Sequence, residues 1–301
     1  MTRPSSTVLR AAVGVAVASL ALSACGSNSL SSGGSTSSGP APTATKNADL
    51  AAKLPAKIKS SGEIVVGTDA TYAPNEFLAT DGKTVQGMDV DLFNTVAQEF
   101  GVKVKFVPAN FDSIILGVDS GKYDMGISSF SITDERKKQV NMVSYYTAGT
   151  QWIVAKGNPK KVNPDDACGL NVAVQKATTQ LDDVTARNKK CTSAGKKPIN
   201  IIVEVGQDKV TADVTSGKAD AMLADSPVGL YAVKQTGGQL EPVGSIYDSA
   251  PYGYVIPKSE TEFGNALVDA LKQLESSGAY KQALAKWGIQ TGAINNFALN
   301  P

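Results

Sequence analysis

The chain has 301 residues, of which 42% are hydrophobic, 19% charged and 6% aromatic, a balance that excludes disorder and collagen-like fibres and suits two domains of moderate size. Lys plus Arg number 29 against 28 Asp plus Glu, so no basic footprint for nucleic acid is present. Histidine is absent, which excludes Ser/His/Asp and Cys/His nucleophile pairs and leaves any catalysis to carboxylates, Lys or Tyr.

Arg3 and Arg10 precede Ala11 to Ala24, a 14-residue run of Ala, Val, Leu, Gly and Ser. A charged region followed by an apolar one, shorter than the roughly 20 residues a spanning helix needs, predicts a removed signal peptide over residues 1 to 24. The run ends in Leu22-Ser23-Ala24-Cys25, which resembles the lipobox of bacterial lipoproteins. That resemblance implies cleavage before Cys25 and a lipid anchor on it, at the extracytoplasmic face of the cell membrane. Without residues 1 to 24 the count becomes 27 basic against 28 acidic, a net charge of −1. From Gly26 to Thr45, 16 of 20 residues are Ser, Gly, Thr or Pro, too few apolar groups to fold. Residues 25 to 49 are therefore expected to be a flexible tether; some 20 residues of such chain span about 25 Å.

From about Leu50 the chain alternates strand-like and helix-like segments, the pattern of βα units. Strands are expected at Glu63 to Gly67, Val102 to Phe106, Asp124 to Ile127, Asn171 to Val174, Asn200 to Val205 and Ala221 to Ala224. Helices are expected at Asp89 to Phe100, Asn110 to Ser120, Lys209 to Ser216, Glu260 to Ser276 and Tyr280 to Trp287, with Trp287 in the core. Asp119-Ser-Gly-Lys-Tyr-Asp124 recurs as Thr215-Ser-Gly-Lys-Ala-Asp220, and eight residues beyond each Gly stand Ser129 and Asp225. Open α/β sheets bind ligands beyond the carboxyl ends of their strands, so the repeat predicts two similar lobes sharing one cleft.

The runs Gly67-Thr-Asp-Ala-Thr-Tyr-Ala-Pro-Asn-Glu-Phe77, Gly87-Met-Asp-Val-Asp-Leu92, Ser128-Ser-Phe-Ser-Ile-Thr-Asp-Glu-Arg136 and Val174-Gln-Lys-Ala-Thr-Thr-Gln180, with Tyr145-Tyr146, Gly149, Ala224-Asp225 and Tyr252-Gly253, resemble the polar amino acid substrate-binding proteins of ABC importers, family 3. The resemblance implies an α/β, two-lobed periplasmic-binding-protein-like type II fold with two hinge crossings, near Ala148 to Trp152 and Tyr247 to Tyr252. One lobe is expected over 50–149 plus 248–301 and the other over 150–247.

A free amino acid brings a carboxylate and an ammonium, and each needs a partner when it leaves water. Arg136 is the expected carboxylate clamp, since its fork makes two parallel hydrogen bonds. Thr178 and Thr179 stand where a helix N-terminus favours an anion, and Asp225 faces the ammonium. Ser129 and Ser131 add acceptors, Tyr72 and Phe111 form aromatic walls, and Asp69 suits a basic or amide side chain over an acidic one. Asn75 and Ala177 depart from the family, which commonly has an aromatic and Gly there. The resemblance implies a monomer with permease subunits as partners and no cofactor or metal. A same-fold enzyme like cyclohexadienyl dehydratase and an extracytoplasmic sensor module are the competing readings. With Cys25 lipidated, Cys168 and Cys191 remain as an even pair in an oxidising compartment and are expected to form a disulfide.

Overall fold

The computed structural model describes residues 42–301. The expected signal segment, Cys25 and most of the tether lie outside the described residues. The end of the expected tether differs from expectation. Asn47 caps helix α1 (Ala48–Ala52) by accepting from the backbone N of Asp49 and Leu50, Leu50 is 2% exposed, and Ala44 N donates to Gln98 Oε1 at 2.8 Å. A capping Asn and a buriable Leu supply what the Ser/Gly-rich stretch before them lacks, so residues 42 to 49 lie packed on the first lobe.

The first lobe continues through α2 (Ala56–Ser61), β1 (Glu63–Thr68), β2 (Thr71–Tyr72), β3 (Glu76–Leu78), β4 (Val85–Gln86), α3 (Met88–Phe100), β5 (Lys103–Pro108), α4 (Phe111–Asp119), β6 (Met125–Gly126) and α5 (Asp134–Gln139). Strand β7 (Asn141–Ala155) leads into the second lobe, built from β8 (Asn171–Gln175), α6 (Thr179–Ser193), β9 (Asn200–Glu204), α7 (Gln207–Thr215), β10 (Ala221–Asp225) and α8 (Ser226–Gln235). Strand β11 (Leu240–Ile256) returns to the first lobe, which α9 (Thr261–Ser277) and α10 (Ala279–Trp287) complete. Trp287 is half-buried rather than core: its Nε1 donates to Asp91 Oδ2 at 2.7 Å.

The strands follow one another in the order β5-β1-β6-β11-β7-β10-β8-β9. In each lobe the first strand is flanked by two parallel neighbours, β1 by β5 and β6 and β8 by β9 and β10. The repeated Ser-Gly-Lys-x-Asp segment does the same job twice. Asp124 Oδ2 accepts from Val65 N, and Asp220 Oδ2 from Asn171 N, each at 2.8 Å, tying the start of one strand to its neighbour after a left-handed Gly. Between the lobes β7 and β11 pair antiparallel, with register shifts between Val243 and Tyr247 and between Tyr247 and Ala250.

Each lobe has its own core. Ile64, Val66, Phe93, Phe100, Leu267 and Tyr280 pack in the first; Trp152, Val172, Val174, Val184 and Leu223 pack in the second. Helix α3 illustrates the logic: Leu92, Phe93, Val96 and Phe100 recur at helical spacing, all are buried, and Gly101 ends the helix at φ 67°. Cys168 and Cys191 form a disulfide that ties the loop before β8 to α6.

Candidate functional site

The strands of both lobes end on a shared cleft. After β1 comes Asp69 and after β6 come Ser128, Ser129 and Ser131, while β8 ends at Gln175 and β10 at Asp225. All nine residues expected at a ligand site, Asp69, Tyr72, Phe111, Ser129, Ser131, Arg136, Thr178, Thr179 and Asp225, line this cleft. Ser128, Gln175 and Gln180 line it too and were missed: a Gln in a strand or at a helix start has no pattern marking it off from a surface amide.

Asp225 is 5% exposed and held from three sides. Tyr72 Oη and Tyr252 Oη donate to its Oδ2 at 2.9 and 2.8 Å, and Gln180 Nε2 donates to its Oδ1 at 2.9 Å. Burial raises its pKa from the ordinary carboxylate value, opposed by those hydrogen bonds and by the charge of Arg136. Tyr72 is thus more than an aromatic wall: burial and the neighbouring Asp225 push its hydroxyl well above the usual phenol range, so it acts as a donor.

Arg136 follows Thr133, whose side chain accepts from Arg136 N to cap α5. The guanidinium lies 5.4 Å from the ring centroids of both Phe111 and Phe130, which stack on each other at 4.5 Å. Nη1 donates to Ser131 O at 2.8 Å and Nη2 to Ala177 O at 3.1 Å. Burial lowers its pKa, with Asp225 acting in the opposite sense, and a guanidinium stays charged under such a shift. Arg136 is therefore a cleft residue.

Thr178 caps the second lobe's helix α6. Its Oγ1 donates to Gln175 O at 2.7 Å and accepts from Leu181 N at 3.2 Å, so the hydroxyl is committed to the backbone, and the first amides of the helix remain for an acceptor in the cleft. Asp69 faces the cleft. Its Oδ1 accepts from Thr71 N and Thr71 Oγ1, and its Oδ2 accepts from Phe111 N at 3.0 Å and, across the cleft, from Gln175 Nε2 at 2.9 Å. Burial raises its pKa against those four bonds. No Lys or Arg pairs with Asp69 among the described residues. The cleft therefore carries two carboxylates, Asp69 and Asp225, and one guanidinium.

Further contacts close the lobes on each other: Gln207 N donates to Thr71 Oγ1 at 3.0 Å, and Lys176 pairs with Asp112 at 2.7 Å. Each charged side chain in the cleft is thus held in place by residues that do not depend on a ligand, the arrangement of a prebuilt binding site.

Residues 64–290 match the model of the bacterial extracellular solute-binding proteins, family 3. The chain is 32% identical over 253 residues to the arginine-binding protein ArgT of Corynebacterium glutamicum, an alignment covering 84% of this chain and 83% of that one. Among solved structures it resembles an ancestral arginine-binding protein bound to arginine, with a TM-score of 0.70, 34% identity and coverage of 75% of this chain and 98% of that one. It also resembles the ancestral amino acid-binding protein AncCDT-1, a precursor of cyclohexadienyl dehydratase, with a TM-score of 0.69, 34% identity and coverage of 77% and 97%. With the family matched over most of its length, the two-lobed architecture in place and the cleft built from both lobes, the chain belongs to the bacterial extracellular solute-binding proteins of family 3.

Proposed function

We propose that this chain captures a polar amino acid with a basic side chain between its lobes and delivers it to the permease subunits of an ABC importer. The observation that carries the reading is the pairing of charges in one cleft. Arg136 offers a planar fork and Asp225 a carboxylate with three of its lone pairs taken, leaving one for an ammonium. A zwitterion would satisfy these two and leave the charge of Asp69 uncompensated; a cationic side chain brings the cleft to neutrality by its charge alone, since Thr71, Phe111 and Gln175 already fill the four acceptor positions of Asp69. The arginine named for the relatives points to the same class.

In this reading Arg136 and the amide end of α6 at Thr178 and Thr179 take the ligand carboxylate, with Ser129 and Ser131 beside them. Asp225 takes the ammonium. Tyr72 and Phe111 flank the aliphatic part, and Asp69 with Gln175 sets the far end. In this reading the boundaries between lobes lie near residues 149/150 and 247/248, and the antiparallel pairing of Thr150 with Tyr247 and the register shifts on either side of it support that. The Leu22-Ser-Ala-Cys25 ending supports a lipid anchor on Cys25, which would hold the monomeric body at the extracytoplasmic face while it searches for the permease.

Binding without turnover is the reading for the cleft as a whole, and the relatives named as arginine-binding proteins support it. A thermal-shift screen of the amino acids separates the readings. Arginine, lysine or ornithine should raise Tm most, since a ligand at 100 times its Kd adds about 2.7 kcal/mol. A shift with prephenate-like acids accompanied by turnover would favour the enzyme instead.

A further inference from the structure

Behind the wall of the cleft, two acids meet that the ligand reading does not use. Glu76 begins β3 and Asp89 lies in the first turn of α3, and both are 0% exposed. They are brought together by backbone: Met88 N donates to Pro74 O and Asp89 N to Asn75 O, at 3.0 and 2.9 Å. Gly87 makes that approach possible, since a Cβ there would lie 2.1 Å from Asn75 O.

The hydrogen-bond inventory around the pair does not close for two carboxylates. Asp89 Oδ2 accepts from Ser129 N at 3.1 Å and Tyr145 Oη at 2.9 Å. Glu76 Oε1 accepts from Ser128 Oγ at 3.0 Å. Ser129 Oγ stands 3.2 Å from both Glu76 Oε2 and Asp89 Oδ2, yet it has one proton and already accepts from Asn75 Nδ2 at 2.9 Å, so it serves only one acid. Asp89 Oδ1 is buried and has no donor. Among the described residues no Lys or Arg pairs with either acid, and the titratable groups that face them are Asp69, Tyr145 and Tyr254, none of them a cation. Two buried like charges with no counter-ion are not sustained, and a shared proton is the usual resolution.

We infer that Glu76 and Asp89 share one proton, resident on Glu76, and that this pair is the positioning device for Ser128 and Ser129 in the cleft wall. Glu76 is the site of the proton because Asp89 has the better donors, a backbone amide and a phenol. A hydroxyl on Glu76 supplies one more donor to a pair whose buried acceptors, Asp89 Oδ1 among them, outnumber the donors around them. Burial and the adjacent Asp89 both act to keep the Glu76 carboxyl protonated, well above the ordinary range. The pair has work to do at that point: Ser129 sits at φ 51°, a left-handed backbone for a residue with a Cβ. Asp89 grips its amide, Glu76 its hydroxyl, and Ser128 Oγ in turn accepts from Asp69 N at 3.0 Å. The positioning role rests on the cleft being the ligand site; the shared proton does not.

In Glu99→Gln, which removes the other acid that burial holds protonated near neutral pH, infrared difference spectra should show the carbonyl stretch of a protonated carboxylic acid, shifted in heavy water, and adding Glu76→Gln should remove it. In binding, Glu76→Ala should lose at least about tenfold in amino acid affinity (1.4 kcal/mol), and Glu76→Gln, which keeps a donor at that position, should restore most of it. Absence of the band in that background, or its persistence once Glu76→Gln is added, overturns the shared proton on Glu76. Loss in Glu76→Gln as large as in Glu76→Ala overturns the positioning role. A protein that binds no amino acid leaves the infrared result standing and refutes the ligand reading and the positioning role with it.

Discussion

The hydroxyl of Tyr72, from the first lobe, donates to Asp225 Oδ2 of the second at 2.9 Å, and both residues are buried. One hydrogen bond therefore links the closure of the lobes to the orientation of the carboxylate that faces the ligand's ammonium. A hydrogen bond to a charged group contributes about 1.5–3 kcal/mol. Tyr72→Phe should therefore weaken amino acid binding about tenfold or more, and solution scattering should show the ligand-saturated variant more open than the wild type. An affinity equal to wild type would mean that Tyr72 contributes only its ring.

Arg136→Lys keeps the charge and loses the fork. An ammonium cannot serve Ser131 O, Ala177 O and a ligand carboxylate with the planar geometry seen here. Calorimetry should show affinity reduced by about 2–4 kcal/mol, in the range of a truncated charge pair. Near wild-type binding would remove Arg136 from the carboxylate site.

Ala177 holds φ 61°, the left-handed region that costs a Cβ-bearing residue about 1–2 kcal/mol. Ala177→Gly relieves that cost and loses part of it to unfolded-state entropy. A net gain of about 0.5–1 kcal/mol in denaturant unfolding is expected; a loss would show that the Ala methyl packs usefully.

Glu99 is 4% exposed, with Oε2 buried and without a partner, and burial pushes its pKa up to about 7 from 4.5. The folded protein therefore holds a proton that the unfolded chain has lost, so its contribution makes stability fall as pH rises from about 4.5 to about 7. Glu99→Gln should flatten that part of the pH profile and be more stable than wild type above it, by on the order of 2 kcal/mol. Parallel profiles for the two proteins would show that Glu99 does not titrate in that window.

Reducing the Cys168–Cys191 disulfide frees a loop with a sequence separation of 23. In the chain-entropy model this costs about 3 kcal/mol, read as a lower Tm on adding reductant. An unchanged Tm would mean that the second lobe holds this loop without the bond.

Particular residues show how much of this was legible in the sequence. Val90, Phe93, Val96, Ala97 and Phe100 recur at helical spacing, and Gly101 ends the pattern, so α3 was readable to within a residue. Ser129 and Asp225 stood out because the Ser-Gly-Lys-x-Asp repeat put them at matching strand ends. What local pattern does not encode is partnership at long range. Gln175 matters because the cleft brings it to Asp69 across 106 residues of chain, and Gln180 because the second lobe's own fold brings it to Asp225 across 45. Glu76 and Asp89 look like an ordinary turn acid and an ordinary helix-start acid, and only packing shows that they meet. The tether ended sooner than composition implied because Asn47 and Leu50, two residues in a polar stretch, suffice to start α1.

Capture of a basic amino acid between Arg136 and Asp225 is tested most directly by calorimetric titration of the wild type and Asp225→Ala with L-arginine under identical conditions. The wild type should bind saturably with one arginine per chain, and Asp225→Ala should show no binding at the same concentrations. Equal binding by the two proteins, or binding by neither, would contradict it.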